Sequence, residues 1–242
     1  MGYPFNQKTY IMTTIADRLA NAQQRIIQAA QISSRNADTI QLLAVSKTKP
    51  NSDILAAYAA GQRRFGENYV QEGESKVKAL EESCPEIEWH FIGPLQSNKT
   101  KIIASHFDWM HTVSREKIAS RLNDQRPEEM FPLNICIQIN ISGETSKSGA
   151  TPEELKSLAS KVDQMPNLTL RGLMAIPTAT SDKQLQRDEF QQLQTLYQEL
   201  KSLYPQVDTL SMGMSNDLEQ AIEQGSTMVR IGSAIFGERE KS

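Results

Sequence analysis

Eight short apolar runs, each separated from the next by a stretch of helical composition, constrain the fold of this chain more than any other feature. They are rich in Val, Ile, Leu and aromatic residues. Several show no apolar–polar alternation, which is typical of parallel strands buried on both faces. The runs cover residues 41–45, 63–66, 89–92, 109–113, 134–141, 171–175, 209–212 and 228–231. This order predicts an α/β fold, a single closed (β/α)8 barrel of the TIM type.

Two other architectures stay open at this point. An open, doubly wound sheet is the next candidate, although no GxGxxG motif follows an early strand. Two small domains are the other, but 242 residues match the roughly 250 of one barrel. We expect one domain over residues 13–242 and a polar N-terminal extension without ordered structure over residues 1–12.

The helices have recognisable faces and ends. An amphipathic helix comes first, with Ile15, Leu19, Ile26 and Ile27 on one face. A helix over residues 53–60 ends at Gly61, and one over residues 216–224 begins at an Asn-x-x-Glu pattern. The run from Thr151 to Glu154 supplies an N-cap threonine, a proline at the first helical position and a glutamate at the third.

Composition and charge exclude several classes of protein. Apolar residues make up 38% of the chain, and 26 Lys and Arg against 29 Asp and Glu give a net charge of −3. This balance predicts neither a nucleic-acid partner nor attraction to an anionic membrane. The longest apolar runs are too short to span a bilayer, and no secretory signal is visible. We therefore expect a cytoplasmic protein.

The cysteines and histidines give no metal-ligand pattern. Cys84 and Cys136 lack partners at the spacing of a metal site, which predicts two unpaired thiols in a reducing compartment. His90, His106 and His111 form neither an HxH nor an HExxH pair, so we expect no zinc site.

Lys47 stands where a barrel carries its chemistry, directly beyond the carboxyl end of the first strand. A lysine that leaves an apolar run is poorly hydrated, which lowers its pKa and frees the neutral amine for a Schiff base with a carbonyl compound. A lysine whose ammonium merely extends to solvent at the barrel rim is the competing interpretation from this position alone.

Residues from the last two strands predict an anion site beside Lys47. In a closed barrel the eighth strand adjoins the first, so Arg230, Gly232 and Ser233 come near the lysine. Ser211 and Ser215 follow from the seventh strand and its loop, before a helix N-terminus. The loops after strands seven and eight are the recurring phosphate site of such barrels. Turn formation or N-capping is the alternative role for Ser215.

Six segments carry a resemblance to a known family. They are LLAVSKTKP (42–50), FGENYVQE (65–72), WHFIGPLQSNK (89–99), GLMAIP (172–177), LSMGMSNDLEQAI (210–222) and GSTMVRIGSAIFG (225–237). In this order they closely resemble the pyridoxal phosphate homeostasis proteins of the YggS/PROSC type. That family is similar in fold to the N-terminal barrel of bacterial alanine racemase.

The resemblance implies a ligand and a set of site residues. The cofactor is pyridoxal 5′-phosphate (PLP), held as a covalent aldimine, or Schiff base, on Lys47. Arg230 becomes the partner of the pyridine nitrogen, and Asn68 a polar group near the lysine and the ring. The implied phosphate-binding positions are Ser211, Gly232 and Ser233, and Met174 is implied to line the site.

We expect a cofactor holder that buffers and delivers PLP rather than an enzyme. A protonated arginine on the ring nitrogen makes the cofactor a poorer electron sink than an aspartate does. The resembling racemases also use an arginine, but they add a C-terminal β-domain and a tyrosine base, for which we find no counterpart. A monomer is expected for the same reason, with PLP-dependent apoenzymes as recipients of the cofactor.

Three alternatives remain on the residues alone. The first is a PLP-dependent amino-acid racemase of low activity, and the second a cofactor-free Schiff-base aldolase acting on a phosphorylated sugar. The third is a partner-binding regulator that uses the cofactor as a sensor. Lys49 and Lys147 form a weaker hypothesis, as lysines that accept the aldehyde during loading or transfer.

Overall fold

The computed structural model describes residues 13–238, so the predicted extension over residues 1–12 lies outside the described residues. Within this range eight parallel strands form one closed barrel in chain order. The strands are β1 (Gln41–Val45), β2 (Arg64–Glu67), β3 (Glu88–Phe91), β4 (Trp109–Val113), β5 (Leu133–Gln138), β6 (Leu168–Met174), β7 (Thr209–Met214) and β8 (Met228–Ile231).

Helices lie between the strands and before the first one. They are α1 (Ile15–Ile32), α2 (Asn51–Ala59), α3 (Val70–Leu80), α4 (Thr100–His106), α5 (Glu116–Gln125), α6 (Pro152–Asp163), α7 (Lys183–Leu203), α8 (Leu218–Glu223) and α9 (Ser233–Phe236). The barrel closes where β8 pairs with β1, from Gln41 opposite Met228 to Ala44 opposite Ile231. The predicted (β/α)8 barrel is confirmed, and this closure excludes the open sheet.

Three predicted strands have the predicted bounds, and the others differ at one or both ends. The predicted fifth strand ran to residue 141, whereas β5 ends at Gln138 and Ile139 makes only an isolated bridge with Ala150. The sixth begins earlier than predicted, because Leu168 and Thr169 pair with Leu133 and Asn134. Polar Thr169 and Asn134 interrupt the apolar pattern at the end where these strands begin.

The helix ends follow local chemistry. Thr151 caps α6 as predicted, with its side chain accepting from the Glu154 N–H and the Glu154 carboxylate accepting from the Thr151 N–H. The prediction that a helix begins at Asn216 is wrong, because α8 begins at Leu218 with Asp217 as its N-cap. Asp217 Oδ1 accepts from the Met214 N–H at 2.6 Å, which folds residues 214–217 into a turn instead.

Apolar side chains pack in two places. The main core lies between the barrel and the helices, where α1 contributes Leu19 and Ile26; Ile27, predicted on the same face, is 38% exposed. Inward-pointing side chains alternate with these along each strand and form two small separate clusters. Their buried members are Leu43, Ile92 and Met228 in one and Trp109, Cys136 and Met174 in the other. Buried polar side chains, including His90, His111, Ser211 and Arg230, lie beside these clusters.

No helix of residues 13–238 combines the length and apolar character that a bilayer span requires.

Candidate functional site

The carboxyl ends of β8 and β1 bring together residues that nearly the whole chain separates. Arg230 pairs in register with Leu43, four residues before Lys47. A Cβ atom at Gly232 would lie 3.3 Å from the carbonyl oxygen of Val45, so the two strand ends approach closely. Lys47 itself is half-buried in the segment between β1 and α2. The neighbourhood predicted from strand order is therefore present.

Arg230 is held rigidly in the barrel interior, with 4% of its surface exposed. Its Nη1 donates to the Ser211 carbonyl oxygen at 2.8 Å and to Ser211 Oγ at 2.9 Å, and its Nη2 donates to the Ala175 carbonyl oxygen at 3.0 Å. These contacts use three of its five N–H groups and fix the plane of the guanidinium. Burial lowers the pKa of Arg230 to about 10, while the Asp217 carboxylate opposes that shift. The side chain is therefore cationic at neutral pH.

The two neighbours of Lys47 are anchored from outside the barrel. Ser46 Oγ donates to Glu67 Oε1 at 2.6 Å, and the Ser46 carbonyl oxygen accepts from Lys76 Nζ at 2.7 Å. The Thr48 N–H donates to Glu72 Oε1 at 2.6 Å. Thr48 adopts a left-handed conformation with φ of 63°, which is costly for a β-branched residue and is held here by that hydrogen bond. Lys47 thus leaves a fixed segment of backbone.

A buried ion cluster provides these anchors. Lys76 Nζ lies 2.9 Å from Glu67 Oε1 and 2.6 Å from Glu72 Oε1, and 6% of its side chain is exposed. Glu67 is fully buried. Burial raises the pKa of the Glu67 carboxyl, and the Lys76 ammonium and Ser46 hydroxyl counteract that effect. Sequence reasoning missed Lys76, because Glu72 and Lys76 have the i,i+4 spacing of an ordinary surface ion pair.

A cavity of about 580 Å³ opens at the carboxyl face of the barrel. Its lining includes Asn68, Thr112, Gln138, Asn140, Lys147 and Ile176. Asn68 follows β2 directly, and its Oδ1 is buried without a hydrogen bond from any described residue. An acceptor in that state calls for a donor from a ligand or from water. Met174, predicted to line the site, is fully buried in the barrel interior beside Trp109 and Cys136.

The predicted phosphate-binding residues lie at the ends of β7 and β8. Ser215 follows β7 in the turn closed by Asp217 and is half-buried, with its carbonyl oxygen accepting from Arg25 Nη2. Gly232 and Ser233 follow β8, and Ser233 is exposed. Ser211 differs from them, because it is fully buried and its hydroxyl contacts Arg230 and His111.

Two histidines that sequence reasoning set aside lie inside the barrel. His90 Nδ1 and His111 Nε2 are 2.8 Å apart, and both side chains are fully buried. Their positions on β3 and β4 alternate with outward-facing apolar residues, which is the signal that could have found them. Residues 13–238 contain no group of three or more His, Cys, Asp or Glu side chains that could hold a metal ion. Cys84 and Cys136 are both unpaired and buried, as predicted.

Comparison with known proteins identifies the family. Residues 19–240 match the family model of the alanine racemase N-terminal domain. The pyridoxal phosphate homeostasis protein of Vibrio alginolyticus is 57% identical over 233 residues, which cover 96% of this chain and 100% of that protein. The chain belongs to the pyridoxal phosphate homeostasis protein family. The resemblance carried by the six sequence segments is thereby confirmed.

Solved structures agree with this family. PipY of Synechococcus elongatus PCC7942, solved with PLP bound, is 36% identical with a TM-score of 0.78, covering 93% of this chain and 100% of that one. Alanine racemase from Corynebacterium glutamicum is 16% identical with a TM-score of 0.66, covering 94% of this chain and 62% of that one. The similarity to the racemase shows only that the two proteins share the barrel fold, as the family resemblance implied.

Proposed function

We propose that this chain binds PLP covalently through Lys47 and acts in cofactor homeostasis, holding PLP and delivering it to apoenzymes without robust catalysis of its own. The observation that carries the proposal is Arg230, fixed by three hydrogen bonds on the strand beside the one that leads to Lys47. The name of the Vibrio alginolyticus relative and the PLP bound to PipY support it.

The residues present fit this cofactor. Two N–H groups of Arg230 are not used by the hydrogen bonds of the described residues and are available to the pyridine nitrogen. The buried acceptor Asn68 Oδ1 receives no hydrogen bond from the described residues and can accept one from the cofactor. Ser215, Gly232 and Ser233 are the proposed phosphate-binding positions, with Ser211 behind them. PLP supplies the aldehyde that an amine can capture, and this chain supplies the amine and a fixed cation.

Arg230 also supports holding over catalysis. Because Arg230 is cationic, it donates a hydrogen bond to the ring nitrogen and disfavours protonation of that nitrogen. An unprotonated ring withdraws electrons weakly, so it stabilises a carbanion poorly. The resembling racemases also use an arginine, so this residue favours cofactor holding only together with the missing tyrosine base.

The test is borohydride reduction of the protein loaded with PLP, followed by peptide mapping. We expect a stable adduct on the peptide that contains Lys47, and none in Lys47→Ala. Lys49→Ala is the matched control: Lys49 Nζ donates to the Glu238 carbonyl oxygen at 2.9 Å, and we expect its substitution to leave the adduct intact. An adduct confined to another lysine would contradict the site. Amino-acid turnover by the pure protein that Lys47→Ala abolishes would contradict the non-catalytic role and favour a racemase.

Lys147 is the better placed of the two lysines considered for transfer. It lines the cavity that contains Asn68, and its ammonium pairs with Glu144 at 3.0 Å. We propose that it receives the aldehyde on the way out. Lys147→Ala should then slow reactivation of an added PLP-dependent apoenzyme, whereas Lys156→Ala, on the outer helix α6, should not. Equal rates for both variants would overturn this step.

A further inference from the structure

A line of hydrogen bonds crosses the barrel interior from Arg230 to Glu88. Arg230 Nη1 lies 2.9 Å from Ser211 Oγ, which lies 3.0 Å from His111 Nδ1. His111 Nε2 lies 2.8 Å from His90 Nδ1, and His90 Nε2 lies 2.8 Å from Glu88 Oε1. The five residues come from β8, β7, β4 and β3, so only the closed barrel brings them into line.

The two ends of this line, together with two neutral imidazoles, determine the direction of every bond. A guanidinium can only donate, and a carboxylate can only accept. Ser211 Oγ therefore accepts from Arg230, and His90 donates from Nε2 to Glu88. When both imidazoles are neutral, His90 Nδ1 accepts from His111 Nε2, and His111 Nδ1 then accepts from the Ser211 hydroxyl. Each ring in this arrangement carries its proton on Nε2.

The surroundings favour these protonation states. His90 and His111 are fully buried, and the His90 ring stacks on Trp109 at a centroid distance of 5.0 Å. Burial lowers the pKa of both histidines, and the Arg230 cation lowers that of His111 further. At the other end, Glu88 contacts Arg64 at 3.3 Å, and the Arg171 guanidinium lies over Trp109. Burial alone would raise the pKa of Glu88, but its hydrogen bond to His90 and the charges of Arg64 and Arg171 outweigh burial and lower it.

We propose that His111, supported by His90 and Glu88, is a positioning residue that fixes the Ser211 hydroxyl and thereby the Arg230 guanidinium toward the PLP ring. This inference rests on the proposed function. It assigns a role in the cofactor site to residues that do not line it and that reach the opposite end of the barrel.

The proposed role of His111 depends on the Ser211 hydroxyl, whose hydrogen can rotate about the Cβ–Oγ bond. With His111 as its acceptor, its hydrogen points away from Arg230 and its lone pairs face the guanidinium. Without that acceptor, the hydrogen is free to turn toward the cation, and Arg230 loses one of its three hydrogen bonds. Bonds aligned in one direction also polarise one another, so each link strengthens the next. Since its hydrogen is committed to His111, Ser211 has none to donate to the cofactor phosphate.

The direct test needs no cofactor. Nitrogen-15 NMR of the imidazoles distinguishes the two neutral tautomers and the cation, and the chain has three histidines, His90, His106 and His111. We expect His90 and His111 both to be neutral with the proton on Nε2 at pH 7. Ser211→Ala should shift the Nδ1 signal of His111 and leave His106 unchanged. A cationic ring or a proton on Nδ1 of either buried histidine would overturn the hydrogen-bond direction.

The second test is PLP affinity in matched variants. We expect His111→Phe to weaken binding about tenfold, the equivalent of one net hydrogen bond. His111→Gln, which keeps an acceptor and a donor, should restore most of that loss. Cys136→Ala, another buried interior change outside the line, should bind like the unsubstituted protein. Unchanged affinity in His111→Phe would overturn the positioning role. If His111→Phe fails to fold, the NMR experiment and the PLP affinity of Ser211→Ala still test the positioning role.

The two tests separate this inference from the function on which it rests. Failure of the unsubstituted protein to bind PLP would overturn the proposed function and the positioning role together. In that case the tautomers, measured in the cofactor-free protein, would still show whether the hydrogen-bonded line exists. Correct tautomers with PLP binding that ignores His111 would overturn the inference alone.

Discussion

The backbone on either side of Lys47 depends on one buried ammonium group. Lys76 contacts the Ser46 carbonyl oxygen and both Glu67 and Glu72, which bond Ser46 Oγ and the Thr48 N–H. A buried charge loses its hydration, and only such partners compensate for that loss. Removal of one member of the cluster therefore destabilises the others. At the residue scale, the backbone around Lys47 is held by a second lysine, Lys76 of α3.

Lys76→Met should therefore destabilise the fold by about 3–5 kcal/mol, since it leaves the Glu67 carboxylate buried without its cation. Lys78→Met is the matched control. Lys78 lies on the same helix and pairs with Glu74, but its side chain is 59% exposed, so we expect a change within about 0.5 kcal/mol. Urea unfolding measures both.

The double variant Glu67→Gln with Lys76→Met adds a further check. Because it removes both charges, it should lose less stability than Lys76→Met alone. A double variant as unstable as the sum of the two single ones would show that the ion pair is not the cause.

The elements show which parts of the molecule sequence could predict. Strands such as β1 and β8 were found with their bounds because both of their faces are buried, so apart from Gln41 and Arg230 their residues are apolar. The proximity of Arg230 to Lys47 could be predicted from the order of the strands. The polar contacts inside the barrel could not be predicted, since His90 and His111 occupy single inward positions whose contact depends on the alignment of β3 with β4. Lys76 was hidden because spacing along a helix does not reveal burial.

Strand β6 contains a position at which only glycine fits. A Cβ atom at Gly172 would lie 1.7 Å from the Thr209 carbonyl oxygen on β7, where these two residues pair. Gly172→Ala should push the strands apart and cost about 3 kcal/mol. Gly61→Ala is the comparison, because Gly61 has φ of +100° but open space around it, and its strain costs about 1 kcal/mol. Equal losses by thermal unfolding would contradict the steric explanation.

The N-terminus of α6 offers a milder test. Thr151→Ala removes the acceptor for the Glu154 N–H and should cost about 1 kcal/mol. Thr195→Ala, in the exposed middle of α7, removes a threonine where no cap exists and should be neutral or slightly stabilising. Calorimetric melting should separate the two in sign, and a loss of equal size in both would argue against capping.

At the scale of the whole molecule, the two buried histidines make stability depend on pH. The pKa of His90 and of His111 is lowered by burial, whereas unfolded histidines titrate near 6.5. Below that pH the unfolded state binds more protons than the folded one. The stability contributed by these two histidines is therefore fully present above about pH 6.5 and is lost as the pH drops toward the lowered folded values, by at most about 1.4 kcal/mol per pH unit for each histidine.

Urea unfolding at pH 7.5, 6.5 and 5.5 measures this dependence. His111→Gln should give a shallower loss of stability than the unsubstituted protein, because it removes one of the two linked protons. His106→Gln, on the outer helix α4, controls for the removal of a histidine in general. A loss as steep in His111→Gln as in the unsubstituted protein would show that other groups dominate.

Helix α1 packs against α8 and α9, so the first and last described elements meet. Arg18 donates to the Ile235 carbonyl oxygen, Arg25 pairs with Glu219, and Arg35, just beyond α1, donates to the carbonyl oxygens of Ile222 and Ser226. During synthesis, the ribosome releases α1 long before any of these partners exist. The part of the apolar face of α1 that α8 and α9 cover therefore stays exposed to solvent until both of those helices have been synthesised.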